Sequence, residues 1–283
     1  MTSSDVVLTV LHPGRMGAAV GREAKRGGAR VLWCEAGRSP ATRDRALAAG
    51  LEPVADLASA IEASEIIISV CPPAAAEDVA AHVADLGYSG LYLEANAISP
   101  EKACRIAERL EWSGAQVLDG GIIGPPPTQE ERARLYLSGA DEGVAKVVKV
   151  FSGTCLEPVS VGRRLGAASA LKMAFASFQK ASRALAAVAH ALAEDYGVAG
   201  ELRAEAQRMP GDILADVGYL PSVAARAWRW APEMREVART LRSCGLPGDL
   251  ALAAAVVLER WQGDKDRFDL PLPEVFAHLH QAG

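Results

Sequence analysis

Near the start of the chain, the residues best suited to chemistry run Thr9-Val10-Leu11-His12-Pro13-Gly14-Arg15-Met16-Gly17. An apolar strand, a turn carrying Gly14 and Gly17 and an immediate helix form a phosphate cradle. In such a fingerprint the second glycine lets the backbone approach a pyrophosphate, and the third lets the helix pack close to the strand. The helix N-terminus adds N–H groups and a positive dipole end. His12 holds the first glycine position, so the fingerprint is degenerate and His12-Pro13-Gly14 also reads as a plain turn. His12, Pro13, Gly14, Arg15, Met16 and Gly17 are the candidate contacts to a dinucleotide. The next cluster, Glu35-Ala36-Gly37-Arg38-Ser39-Pro40-Ala41-Thr42-Arg43, follows the second apolar run. A ribose 2′-hydroxyl needs Asp or Glu there, whereas a 2′-phosphate needs cations and hydroxyls. Arg38, Ser39, Thr42 and Arg43 could fork a phosphate dianion, which favours NADP. Glu35 dissents and keeps NAD as the alternative.

These residues must be positioned by an alternating pattern of strands and helices. Strands are predicted over Val6–Leu11, Ala29–Cys34, Glu65–Val70 and Leu91–Ala95, with another from Gln116 to the Asp119-Gly120-Gly121 run. Helices are predicted over Arg15–Gly27, Thr42–Ala49, Asp56–Ala63, 74–86 and Pro100–Trp112. Strands apolar on both faces and spaced by helices imply a parallel sheet covered on both sides, which binds ligands at the carboxyl ends of its strands. After about residue 160 the strand signals stop. Gly166–Asp195 reads as one long alanine-rich helix, followed by helices at 200–209, 222–243, 248–261 and 272–280, punctuated by Pro221, Pro232, Pro247 and Pro271. The expected fold is therefore α/β: an N-terminal Rossmann-type doubly wound sheet over 1–160 and an all-helical domain over 161–283.

The bulk composition agrees with a small-molecule protein. Half of the 283 residues are apolar, 23% are charged and the formal net charge is −5, which suits a folded core and not a nucleic-acid surface. The polar opening Met1–Asp5 lacks the basic and apolar regions of a secretory signal, and no apolar run reaches the ~20 residues of a membrane span. Five scattered cysteines without a CxxC pair read as reduced thiols, with no metal site, in a cytoplasmic protein.

Taken in order, the landmarks resemble the β-hydroxyacid dehydrogenase superfamily, which includes 6-phosphogluconate dehydrogenase, 3-hydroxyisobutyrate dehydrogenase and the imine reductases. His12 to Gly17 is similar to its Gly-Leu-Gly-x-Met-Gly, and Gly37-Arg38-Ser39 to its Asn-Arg-Thr. Val70-Cys71-Pro72 resembles the turn beside the nicotinamide, and Glu94-Ala95-Asn96-Ala97-Ile98-Ser99-Pro100 its Asp-x-Ser-Thr-x-Ser-Pro. Asp119-Gly120-Gly121-Ile122-Ile123-Gly124 stands in place of Asp-Ala-Pro-Val-Ser-Gly. Gly166 to Lys172 resembles the Gly-x-Gly-x-x-x-Lys that opens the interdomain helix. The segment Arg226 to Met234 resembles a poorly characterised phosphogluconate dehydrogenase-like branch.

The resemblance implies an NADP-dependent oxidoreductase with Lys172 as general acid/base. Val70, Cys71, Pro72 and Asn96 would lie at the cofactor, and Asn96, Gly120, Gly121, Ile122 and Ile123 at a small-molecule substrate. It also implies a homodimer through the helical domain, for which the small side chains Ala181, Ala184, Ala187 and Ala191 suggest a seam. Departures matter too. Ala176 replaces an expected Asn, Ile123 a Ser, and Asn96-Ala97 a Ser-Thr pair, so fewer groups grip a carboxylate or phosphate and a less polar ketone, aldehyde or imine is expected. An imine reductase and a catalytically silent NADP sensor are the alternative readings. His190, Trp228, Trp230 and Met234 read as packing, Arg226 and Arg229 as surface ion pairs, and Asp119 as structural.

Overall fold

The computed structural model describes residues 6–209, 211–213 and 215–280. The chain forms two compact units, one reaching Lys172 and the other starting at Met173.

The first unit is built on β1 (Val7–Val10), α1 (Arg15–Arg26), β2 (Arg30–Cys34), α2 (Pro40–Ala48), β3 (Glu52–Val54), α3 (Leu57–Ala63), β4 (Ile66–Ser69), α4 (Ala76–Asp85), β5 (Leu91–Glu94), α5 (Pro100–Trp112), β6 (Gln116–Ile123), β7 (Ala133–Gly139), α6 (Asp141–Phe151) and β8 (Leu156–Ser160). The strands form one sheet in the order β3-β2-β1-β4-β5-β6-β7-β8. All neighbours are parallel except β6 and β7. Strand order reverses between β1 and β4, where Leu8 to Val10 lie opposite Ile66 to Ile68. That reversal opens a crevice at the carboxyl ends of the two strands.

The period of two along each strand sorts side chains between two cores. Leu8, Val10, Val31, Trp33, Ile66, Ile68, Leu91, Leu93 and Leu118 face one layer with α1 and α6. Ile67, Tyr92 and Val117 face the other, with Ala80, Val83, Ile106 and Leu110 from α4 and α5. Small residues let α1 come close: Gly17, Ala18, Ala19, Val20, Gly21 and Ala24 are buried. A Cβ on Gly17 would fall 2.1 Å from the carbonyl oxygen of His12. Basic Lys25 and Arg26 then close the helix against its negative dipole end.

The sequence pattern missed β3, β7, α6 and β8. β3 has three residues, one of them Pro53, and lies at the sheet edge where proline is tolerated. β7 turns back against β6 through the proline-bearing loop 124–132 without a crossover helix, so the two run antiparallel. β8 carries Pro158 at the opposite edge.

The long helix α7 (Ala167–Asp195) begins in the first unit and continues into the second, which adds α8 (Ala199–Ala206), α9 (Leu220–Ser243), α10 (Asp249–Glu259) and α11 (Leu272–Ala277). Pro232 does not punctuate: α9 runs through it. Trp261 is fully buried, and its indole N–H donates to the carbonyl of Val275 at 2.9 Å, tying α11 down. The alanine seam needs correction. Ala184, Ala187 and Ala191 are buried, and α7 instead presents Phe175, Phe178, Leu185, Val188 and Leu192 outward.

Candidate functional site

At the end of β1 the chain turns on a bond from the N–H of Gly14 to the carbonyl of His12, 2.8 Å. Gly14 is the N-cap of α1, and among the described residues no side chain caps this helix. A Cβ on Gly14 would meet nothing within 4 Å, so open space faces the first turn. Uncapped N–H groups before open space are what a pyrophosphate needs. Thus Gly17 supplies the close packing and Gly14 the open approach, as the fingerprint requires. His12 is largely enclosed, and its Nδ1 has no partner among the described residues. Burial, and then the Arg38 guanidinium, pushes its pKa down to about 4, so the ring is neutral at physiological pH.

Arg38 donates to the carbonyl of Leu11 at 3.1 Å, and its Nε is buried without an acceptor among the described residues. Ser39 caps α2, accepting from the N–H of Thr42 at 3.3 Å and meeting the Thr42 hydroxyl at 3.1 Å. Ser39 and Thr42 are therefore in contact, while Arg38 reaches back to the end of β1. Arg43 is not committed to that cluster, since it faces Glu35 at 3.4 Å. Sequence reasoning missed Arg45, which reaches the carbonyl of Pro13 at 3.4 Å; its signal was a basic residue one helical turn beyond Thr42. With Arg38 it brackets the β1–α1 loop by two cations.

Past β4 the chain crosses Val70-Cys71-Pro72. The Asn96 side chain accepts from the N–H of Cys71 and donates to the Ser69 hydroxyl at 2.9 Å. Its own N–H donates to the Glu94 carboxylate at 2.9 Å. Glu94 is buried, and its Oε2 has no partner among the described residues. Burial pushes its pKa up to about 8; the Asp119 carboxylate adds to the rise, while the Asn96 N–H and Lys102 oppose it. The Cys71 thiol is pushed up to about 12 by burial and by Glu94. It is a poor nucleophile, so the contact it offers is its backbone and a neutral sulfur.

A second buried network lies on β6. Asp119 accepts from the N–H and hydroxyl of Ser169 and, at 3.0 Å, from the hydroxyl of Ser138. Ser138 in turn accepts from the N–H of Ala168 at 3.2 Å. These bonds satisfy two of the orphan donors of the first turn of α7, those of Ala168 and Ser169, and dock that turn on the sheet. Burial raises the pKa of Asp119 above the ordinary carboxylate value against the pull of these donors. Glycine makes the approach possible. A Cβ on Gly121 would fall 2.7 Å from the carbonyl of Ala168, and one on Gly120 2.9 Å from Leu93. Both glycines thus act by admitting neighbours. One turn along α7, Lys172 is half-buried and donates from Nζ to the carbonyl of Ile122 at 2.7 Å. Ile122 offers this oxygen with its side chain buried, while the neighbouring Ile123 is half-buried.

Glu94, Ser69, Ser138 and Ser169 had not been singled out as functional from sequence. Their shared signal is a polar residue inside or just beyond an apolar strand, where burial demands a partner. The arrangement can hold a dinucleotide across the β1/β4 crevice and places the Lys172 ammonium at the carboxyl end of β6.

Residues 9–162 match the family model described as the NAD binding domain of 6-phosphogluconate dehydrogenase. Residues 193–261 match a domain of unknown function, DUF1932. An uncharacterised 28.5 kDa protein of Methanothermus fervidus is 26% identical over 187 residues, 66% of this chain and 71% of that protein. Among solved structures, the 3-hydroxyisobutyrate dehydrogenase of Mycobacterium tuberculosis, solved with L-serine, superposes with a TM-score of 0.75 at 17% identity, covering 98% of this chain and 100% of the other. A conserved protein of unknown function, described as similar to 3-hydroxyacid dehydrogenases, gives 0.69 at 21% identity over 98% and 100% of the two chains. An imine reductase from Pseudomonas sp. gives 0.58 at 19% identity, again over 98% and 100%. These likenesses are ones of fold. The match over residues 9–162, which spans the strand-turn-helix loop and the sheet around it, places the chain in the family of the NAD-binding domain of 6-phosphogluconate dehydrogenase.

Proposed function

We propose that the chain is an NADP-dependent oxidoreductase that moves hydride between the nicotinamide and a small carbonyl or hydroxyl substrate. The observation that carries this reading is the docking of Lys172 at the carboxyl end of β6, held at 2.7 Å from the carbonyl of Ile122. The pocket fits the dinucleotide: Gly14 leaves open space before the uncapped α1, and Gly17 lets the helix reach it. Arg38, Ser39 and Thr42 would take the 2′-phosphate, and the turn at Cys71 and Asn96 would flank the nicotinamide. When bound, the nicotinamide supplies the hydride donor or acceptor. Lys172 then exchanges a proton between Nζ and the substrate oxygen, releasing the Ile122 carbonyl as it does so. The buried bonds of Asp119, Ser138 and Ser169 keep the helix turn that carries this lysine in place. Two copies pair through the outward apolar face of α7.

Parallel calorimetric titration with NADPH and NADH, followed by turnover of a carbonyl panel, tests the reading. NADPH should bind at least tenfold more tightly than NADH. Lys172→Ala should keep that affinity and lose about 10²–10⁴ in turnover. Binding of neither cofactor, or full turnover without the lysine, would overturn it.

A further inference from the structure

Two guanidinium groups of the second unit share one aromatic ring, and neither forms an ion pair with a carboxylate among the described residues. Arg183 on α7 lies 3.8 Å from the ring centre of Tyr219, and Arg226 on α9 lies 6.0 Å from the same ring and 4.8 Å from that of Phe268. Arg226 donates to the carbonyl of Ser222 at 3.0 Å and to the Ser222 hydroxyl. The Nε of Arg183 is shielded from water and has no acceptor among the described residues. Three acids of α9 and α10 are engaged elsewhere: Glu233 with Lys180, Glu236 with Arg239, and Glu259 with Arg235 at 2.6 Å.

Bringing two like charges to one ring, half-buried and without a counter-charge, is unfavourable. The ring faces offset only part of it through cation–π attraction. An anion accepting from the guanidinium heads would offset the repulsion, and the guanidinium fork matches planar and tetrahedral oxyanions alike. The Ser222 hydroxyl accepts from Arg226, so its own proton is free to donate to the same anion. We propose that Arg183, Arg226 and Ser222, seated on Tyr219 and Phe268, form a binding site for the oxyanion of a small organic acid or phosphate ester. The site lies wholly within the second unit and stands apart from the dinucleotide reading.

The full chain, titrated calorimetrically with sodium succinate and with sodium phosphate at constant ionic strength, provides the test. At least one oxyanion should bind, and Arg183→Gln and Arg226→Gln should each weaken it about tenfold or more, whereas Arg235→Gln should not. Preference for succinate identifies a carboxylic acid as the ligand class, and preference for phosphate a phosphate ester. Because a variant can fail by misfolding, the wild-type arginine Nε–H signals give a second readout. The signal absent in Arg183→Lys, protected by its shielding from water, should shift on titration. No binding of either anion, an unmoved Arg183 signal, or binding lost only in Arg38→Gln would overturn the proposal.

Discussion

Replacing Glu94 with glutamine should make the protein more stable at neutral pH and remove part of the pH dependence of its stability. In the unfolded chain a glutamate is ionised above its ordinary value of 4.5, but in the fold Glu94 keeps its proton to about 8. The folded state therefore binds more protons between those limits. Its contribution to stability is complete below 4.5 and declines as pH rises, until it is lost above about 8. At about 1.4 kcal/mol per unit, the cost reaches about 3 kcal/mol at pH 7 and about 5 kcal/mol above pH 8. Glutamine keeps the oxygen that accepts from Asn96 and cannot ionise, so that cost disappears. Urea melts of both proteins at pH 5, 6, 7 and 8 would measure it, with the midpoints read at constant m. The curves should nearly meet at pH 5 and diverge to about 3 kcal/mol at pH 7, with glutamine the more stable. His12, whose folded value is depressed, contributes the opposite slope below 6.5, and Asp119 a slope of the same sign as Glu94. Both persist in the variant: the His12 slope cancels in the difference, and the Asp119 slope cancels apart from its coupling to Glu94. Parallel curves would show that Glu94 is ionised in the fold and would refute the argument from burial.

The two kinds of glycine at the site should separate in one experiment. Gly121→Ala drives a Cβ into the carbonyl of Ala168 and should cost about 1–3 kcal/mol in urea melts while lowering turnover more than dinucleotide affinity. Gly14→Ala meets no protein atom, so it should fold normally and weaken dinucleotide binding tenfold or more by calorimetry. On α7, light scattering should find a dimer for the wild type and a monomer for the double variant Phe178→Glu, Leu185→Glu, since both side chains face outward; a monomeric wild type would sink the pairing.

Much of the first unit was legible because local and global signals agree there. The apolar runs ending at Val10, Cys34 and Ser69 each stop at a turn, and helix α5 begins on its Ser99 cap followed by Pro100. The β1–α1 turn was readable because Gly14 faces open space and Gly17 packs against the backbone of His12. Three features escaped for physical reasons. β7 has its register set by pairing with β6, a long-range choice that a local window does not contain. The direction of the α7 faces depends on which side is covered, so alanine spacing alone suggested the wrong one. The paired networks of Glu94 with Asn96 and of Asp119 with Ser138 and Ser169 join residues distant in sequence, and burial, which makes them consequential, is a property of the folded chain.

The environment of Cys71 also determines how the protein meets electrophiles and oxidants. With its pKa pushed up to about 12, the sulfur is almost wholly protonated at pH 7. A reagent that depends on the thiolate therefore passes this cysteine by, despite its place beside the crevice. Cys244, at the exposed end of α9, is the first sulfur that alkylating agents and peroxides encounter. The turn that carries Cys71 thus keeps its sulfur in the unreactive thiol form, and covalent labelling of the chain reports on the C-terminal end of α9.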